Sequence, residues 1–63
     1  RIRRQHFFAD VIHDPYHPWE DICHCIIQRE GSNEILYWSQ ESSEWAAVES
    51  AKTELKRLVR EFG

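Results

Sequence analysis

The spacing of apolar residues along this 63-residue chain changes once, at residues 42–43. Before that point apolar and polar residues largely alternate; after it, apolar residues recur every three or four positions. Alternation sends successive side chains to opposite faces of a strand, whereas steps of three and four line one stripe of a helix. Strands followed by a helix therefore define the fold class, α+β.

Three segments alternate: "QHFFADVIH" (residues 5–13), "DICHCIIQR" (21–29) and "EILYWSQ" (34–40). Pro15 ends the first, because proline cannot donate to a strand ladder. "EGSN" (30–33) holds the turn residues of a tight hairpin. The expected sheet is a three-stranded antiparallel meander. Residues 42–63 form the helix, with Ser42 or Ser43 as N-cap, Glu44 in the first turn, Lys56, Arg57 and Arg60 toward the end and Gly63 after it. Trp45, Val48, Ala51, Leu55, Leu58, Val59 and Phe62 make its apolar stripe. This βββα chain is read as one small domain, 1–63, in which 1–5 is a basic arm, 6–41 the sheet and 42–63 the helix. A chain that starts on Arg1 and has no methionine is expected to be trimmed from a longer one.

One helix covers one face of a sheet. Alternation assigns Phe7, Ala9, Val11, Cys23, Cys25, Ile27, Leu36 and Trp38 to the covered face, and Trp45 joins them from the first helical turn. The other face should then carry Phe8, Ile12, Ile22, His24, Ile26, Ile35 and Tyr37, together with His6, Asp10 and Gln28. The solvated face of an antiparallel sheet is normally polar, and a contiguous apolar patch marks an interaction surface. A domain of about 60 residues buries only about 60% of its unfolded surface. A second copy, or another protein, would supply the missing burial. The leading expectation is thus a non-catalytic interaction module, self-associating or docking through this second face.

The segment "HDPYHPWEDICHC" (13–25) gathers histidines, cysteines and acids. His13, His17, Cys23 and Cys25 are the available zinc quartet. Structural zinc sites favour C-x2-4-C on a tight knuckle, and here the pair is C-x-C on an apolar strand. Both thiols read as core residues, so no metal or cofactor is expected, and a zinc-stabilised domain ranks third. Asp14, Glu20 and Asp21 read as solvated loop acids. "PYHP" matches the bare P-x-x-P spacing without a neighbouring basic residue, and Trp19 reads as a packing lid or a contact anchor. Buried strand thiols are poor nucleophiles, and a chain this short has little room for a catalytic pocket, so no enzyme activity is expected.

The net charge is −3, and from residue 10 to 44 the only Lys or Arg is Arg29. An acidic domain is poorly suited to nucleic acid. The alternative reading is a nucleic-acid-associated module using Arg1, Arg3 and Arg4 with the sheet aromatics. The strand–helix order is shared with double-stranded-RNA-binding modules, but the stretch before the helix, "SQESSEWAAVES", is acidic and would repel phosphate. No apolar run is long enough for a membrane span. Two unpaired thiols suit a reducing compartment, which places the expectation in the cytoplasm.

Overall fold

The computed structural model describes residues 1–62; Gly63, expected after the helix, lies outside the described residues. Four strands precede one helix: β1 (Ile2–Arg4), β2 (Phe7–His13), β3 (Cys23–Arg29), β4 (Ile35–Glu41) and α1 (Glu44–Phe62). The strands form one antiparallel sheet in the order β1-β2-β3-β4. The fold is α+β with a C-terminal helix, as the change of period implied. The sheet has four strands, however, not three.

The extra strand is the segment read as a basic arm. With three residues and only Ile2 apolar, it carries no usable alternation. It is held by what it meets: Ile2 lies opposite Ala9 and packs against the core. Arg1 pairs with Asp10 at 3.0 Å and Arg3 with Glu30 at 3.1 Å. The connection is a two-residue turn, Gln5 and His6, in which Gln5 takes a left-handed φ of 55°. The His6 carbonyl accepts the Glu30 amide at 2.7 Å, which ties this turn to the end of β3. In the β3–β4 connection Gly31 is left-handed, with φ 83°.

α1 starts where the sequence places a cap. Ser43 Oγ accepts the Ala46 amide at 3.1 Å, satisfying one of the free first-turn donors. The helix buries Ala47, Ala51, Leu55 and Leu58, and the last three pack against Phe7, Ala9, Cys25 and Ile27. Ala47 and Ala51 are fully buried, as are Ala9 and Cys25 on the sheet side. Short side chains on both surfaces allow a close approach of helix and sheet.

Three aromatic assignments are corrected. Trp45 is 74% exposed, Phe62 61% and Trp38 55%. The buried stripe runs through Ala47, and Trp45, two positions earlier at 100° per residue, lies almost opposite. Phe62, on the last turn, lines a shallow groove with Phe7, Arg29, Ser32, Glu34 and Leu36. Trp38 is displaced by a β-bulge. Ile27 pairs with Tyr37 but Gln28 pairs with Ile35, leaving Leu36 without a partner. A bulge puts one extra residue in a strand and breaks its alternation. Leu36 and Tyr37 therefore both lie on the helix side, while Ile35 and Trp38 lie on the other. Simple alternation puts Leu36 with Trp38 and Ile35 with Tyr37; it is right for Leu36 and Ile35 and wrong for Trp38 and Tyr37.

Leu55→Ala is expected to cost about 2–5 kcal/mol, because Leu55 is fully buried. Trp45→Ala should stay within about 0.5 kcal/mol, as for an ordinary surface substitution. Urea midpoints of the two variants measure the contrast; a Trp45 variant as unstable as the Leu55 one would contradict this packing.

Candidate interaction surface

The face of the sheet turned away from α1 is a three-by-three array set by register. Ile12, His24 and Gln40 form one row, Asp10, Ile26 and Trp38 the next, and Phe8, Gln28 and Ile35 the third. Ile26 is at the centre, on an inner strand. Ile12, Ile35 and Trp38 are about half exposed. Phe8, Ile26 and His24 are partly covered by their neighbours.

The covering groups are specific. The Arg1 guanidinium sits 4.3 Å above the centre of the Phe8 ring while it is ion-paired with Asp10. The His24 imidazole stacks on the Trp38 indole, with centroids 5.5 Å apart and planes 20° from parallel. These two residues are diagonal neighbours across β3 and β4, a separation that aromatic side chains span. Ile12, Asp14, Pro15, Tyr16, His24, Ile26 and Trp38 together line a shallow depression.

His24 is oriented by Asp14. Its Nε2 lies 3.2 Å from Asp14 Oδ2, and His17 Nδ1 lies 3.4 Å from the same oxygen. Asp14 Oδ1 accepts the Tyr16 amide at 2.8 Å, and the Asp14 amide donates to the Ile22 carbonyl at 2.9 Å. Asp14 thus closes the loop from both ends and is buried, 6% exposed, contrary to its reading as a solvated acid. The Tyr16 backbone hydrogen bond, aided by those from His24 and His17, holds the Asp14 carboxyl below its ordinary range against the opposing effect of burial. The sequence did carry a signal for this role. Asp before Pro-Tyr favours a side chain that accepts the amide two residues on.

An Asp–His pair can orient a general base, but it needs something to act on. With Nε2 facing Asp14, Nδ1 is the remaining ring nitrogen of His24. It is buried and has no hydrogen-bond partner. Among the described residues no hydroxyl or thiol is bonded to it.

The remaining expected site residues fall elsewhere. Tyr37, expected on this face, is on the helix side, where its hydroxyl lies 2.8 Å from Ser50 Oγ. Ile22 is half-buried at the end of the loop. Cys23 and Cys25 are buried beneath α1, and burial pushes both thiols up, reinforced by Glu44 and Asp21 at Cys23 and by Glu41 and Glu54 at Cys25. His13 and His17 are exposed, and His17 meets Trp19 edge-on. No group of three or more His, Cys, Asp or Glu with metal-binding geometry occurs among the described residues. Of the three N-terminal arginines, Arg1 and Arg3 are paired with acids, and Arg4 lies in a groove on the opposite side of the sheet edge. The member that alternation missed is Trp38, because the bulge that turns it outward has no glycine to announce it. No described helix is long and apolar enough to cross a membrane. No family model matches the chain, and neither does any curated protein or solved structure.

Asp14→Asn should expose the carboxylate's contribution through pH. A carboxyl held below its ordinary value of 3.8 stabilises the fold above that pH. The contribution is lost as pH falls through the lowered native value. The stability difference between wild type and Asp14→Asn is therefore expected to be constant at neutral pH and to shrink below pH 3.8, read as urea midpoints from pH 7 to 2. A gap that does not change across that range would mean the charge of Asp14 stabilises nothing. Cys23 and Cys25 should resist a thiol reagent until the protein unfolds.

Proposed function

We propose that this chain is a non-catalytic protein-interaction module that self-associates through the open sheet face. The observation that carries the reading is Trp38: a tryptophan more than half exposed, ordered by stacking on His24 and flanked by Ile26, Ile12 and Ile35. Tryptophan concentrates binding energy when it is central and becomes desolvated on contact. A rigid, pre-stacked ring loses little freedom on binding.

A second copy is the occupant that best suits the charge pattern. A two-fold interface brings a surface against itself, so net like charge on that surface would oppose it. Here Arg1 is already matched by Asp10 and Arg3 by Glu30, which leaves the apolar centre framed by internally neutralised pairs. Nucleic-acid binding through the N-terminal arginines is less well supported, since two of the three already hold carboxylate partners.

Ile26→Glu would bury an unpaired carboxylate at the centre of such an interface, which is strongly unfavourable. Sedimentation equilibrium is expected to show a concentration-dependent dimer for wild type and a monomer for Ile26→Glu, with the same circular dichroism spectrum. Trp38→Ala should weaken the dimer at least tenfold, in line with the loss of at least 1.4 kcal/mol at a hot spot. A wild-type monomer at millimolar concentration would overturn self-association.

A further inference from the structure

A second surface, on the other side of the sheet edge, has a different chemistry. β1 is an outer strand, and one side of its backbone has no partner strand. Between it and α1 runs a groove lined by Ile2, Arg3, Arg4, Lys52, Leu55 and Lys56. All three residues of β1 take part although their side chains alternate in direction. The groove therefore follows the backbone edge of the strand rather than one of its faces. Its lining holds four cationic residues and no acidic one, in a chain of net charge −3. Arg3 reaches away to Glu30 and Lys52 to Glu49 at 3.5 Å. Arg4 and Lys56 are exposed and take part in no ion pair among the described residues. Ile2, half-buried, is the apolar side chain of the lining that solvent reaches; Leu55 is buried.

We propose that this groove binds an extended acidic peptide, which adds to the sheet as a fifth strand beside β1. Three features converge on that partner. The free edge offers main-chain hydrogen bonds, the currency of strand addition. The cations of the helix and strand match acidic side chains. The half-buried Ile2 offers apolar contact to one side chain on the helix-facing side of the added strand. A compact phosphate would use the charges but neither the strand edge nor the apolar lining, and a nucleic-acid strand would face the acidic remainder of the molecule.

The probe is a fluorescein-labelled hexapeptide of five glutamates and one valine, titrated into the intact chain at low salt. Saturable binding is expected, with slowed hydrogen exchange at the β1 amides that point away from β2. Arg4→Glu with Lys56→Glu, both at exposed positions, should weaken it at least tenfold while leaving the circular dichroism spectrum unchanged. Methylating alternate backbone nitrogens of the peptide keeps its charge but blocks strand pairing, and should weaken binding by a similar factor. Ile26→Glu, on the opposite face, should leave it unchanged. The proposal is overturned if wild type does not bind the peptide. It is equally overturned if the methylated peptide binds as well as the parent while inorganic tripolyphosphate competes, because the groove would then be a site for compact anions.

Discussion

A single nineteen-residue helix lies on a four-stranded sheet, and its reach decides what the rest of the molecule can do. Ala51, Leu55 and Leu58 meet Phe7, Ala9, Cys25 and Ile27 in one buried cluster. Ala51 shares that cluster with Ala9 and Cys25, short side chains that let the two layers come close. The same contact dries the two cysteines and keeps them as thiols, which removes the most reactive groups in the chain from its chemistry. No described helix or strand packs on the opposite face, so Ile12, Ile35 and Trp38 are exposed there and Ile26 is partly covered by its neighbours.

The loop between β2 and β3 is organised by a single carboxylate. Asp14 accepts from the Tyr16 amide, orients His24 and, through its own amide, fastens the loop to Ile22. A buried carboxylate is tolerable only when its lone pairs are occupied, and here both oxygens have partners. The consequence reaches the sheet: His24, held by Asp14, gives the exposed Trp38 indole a surface to stack on. Loop, imidazole and indole form one mechanical unit. Asp14, His17 and His24 of this segment meet at one carboxylate oxygen, while the thiols lie buried.

The two sides of the sheet edge also differ in charge management. On the open face Arg1 and Arg3 are cancelled by Asp10 and Glu30, which leaves an apolar centre. On the helix side, next to Arg4, the chain adds Lys52 and Lys56 one helical turn apart. An acidic molecule with a locally basic groove concentrates its positive potential in one place, and such focusing steers a complementary segment toward the site. The strand that separates these surfaces is only three residues long.

The change from period two to steps of three and four settled, by itself, the fold class, the single C-terminal helix, a cap at Ser42 or Ser43, the positions of β2 and β3 and the burial of Cys23, Cys25 and Ile27. These features were legible because each depends on near neighbours in the chain: pleat alternation, helical spacing, a hydroxyl reaching an amide three residues on. Most of the open face was legible for the same reason, since Phe8, Ile12, His24 and Ile26 keep unbroken alternation. The fourth strand was not, because β1 owes its place to Asp10, Glu30 and the core, all distant in sequence. The burial of Asp14 was decided by His24, ten residues away. Trp38 and Tyr37 exchanged faces because pairing with β3 left Leu36 unmatched, and one extra residue inverts the parity of everything after it. A bulge exists only between two strands, so the tertiary structure alone could decide that the indole, and not the phenol, would face outward.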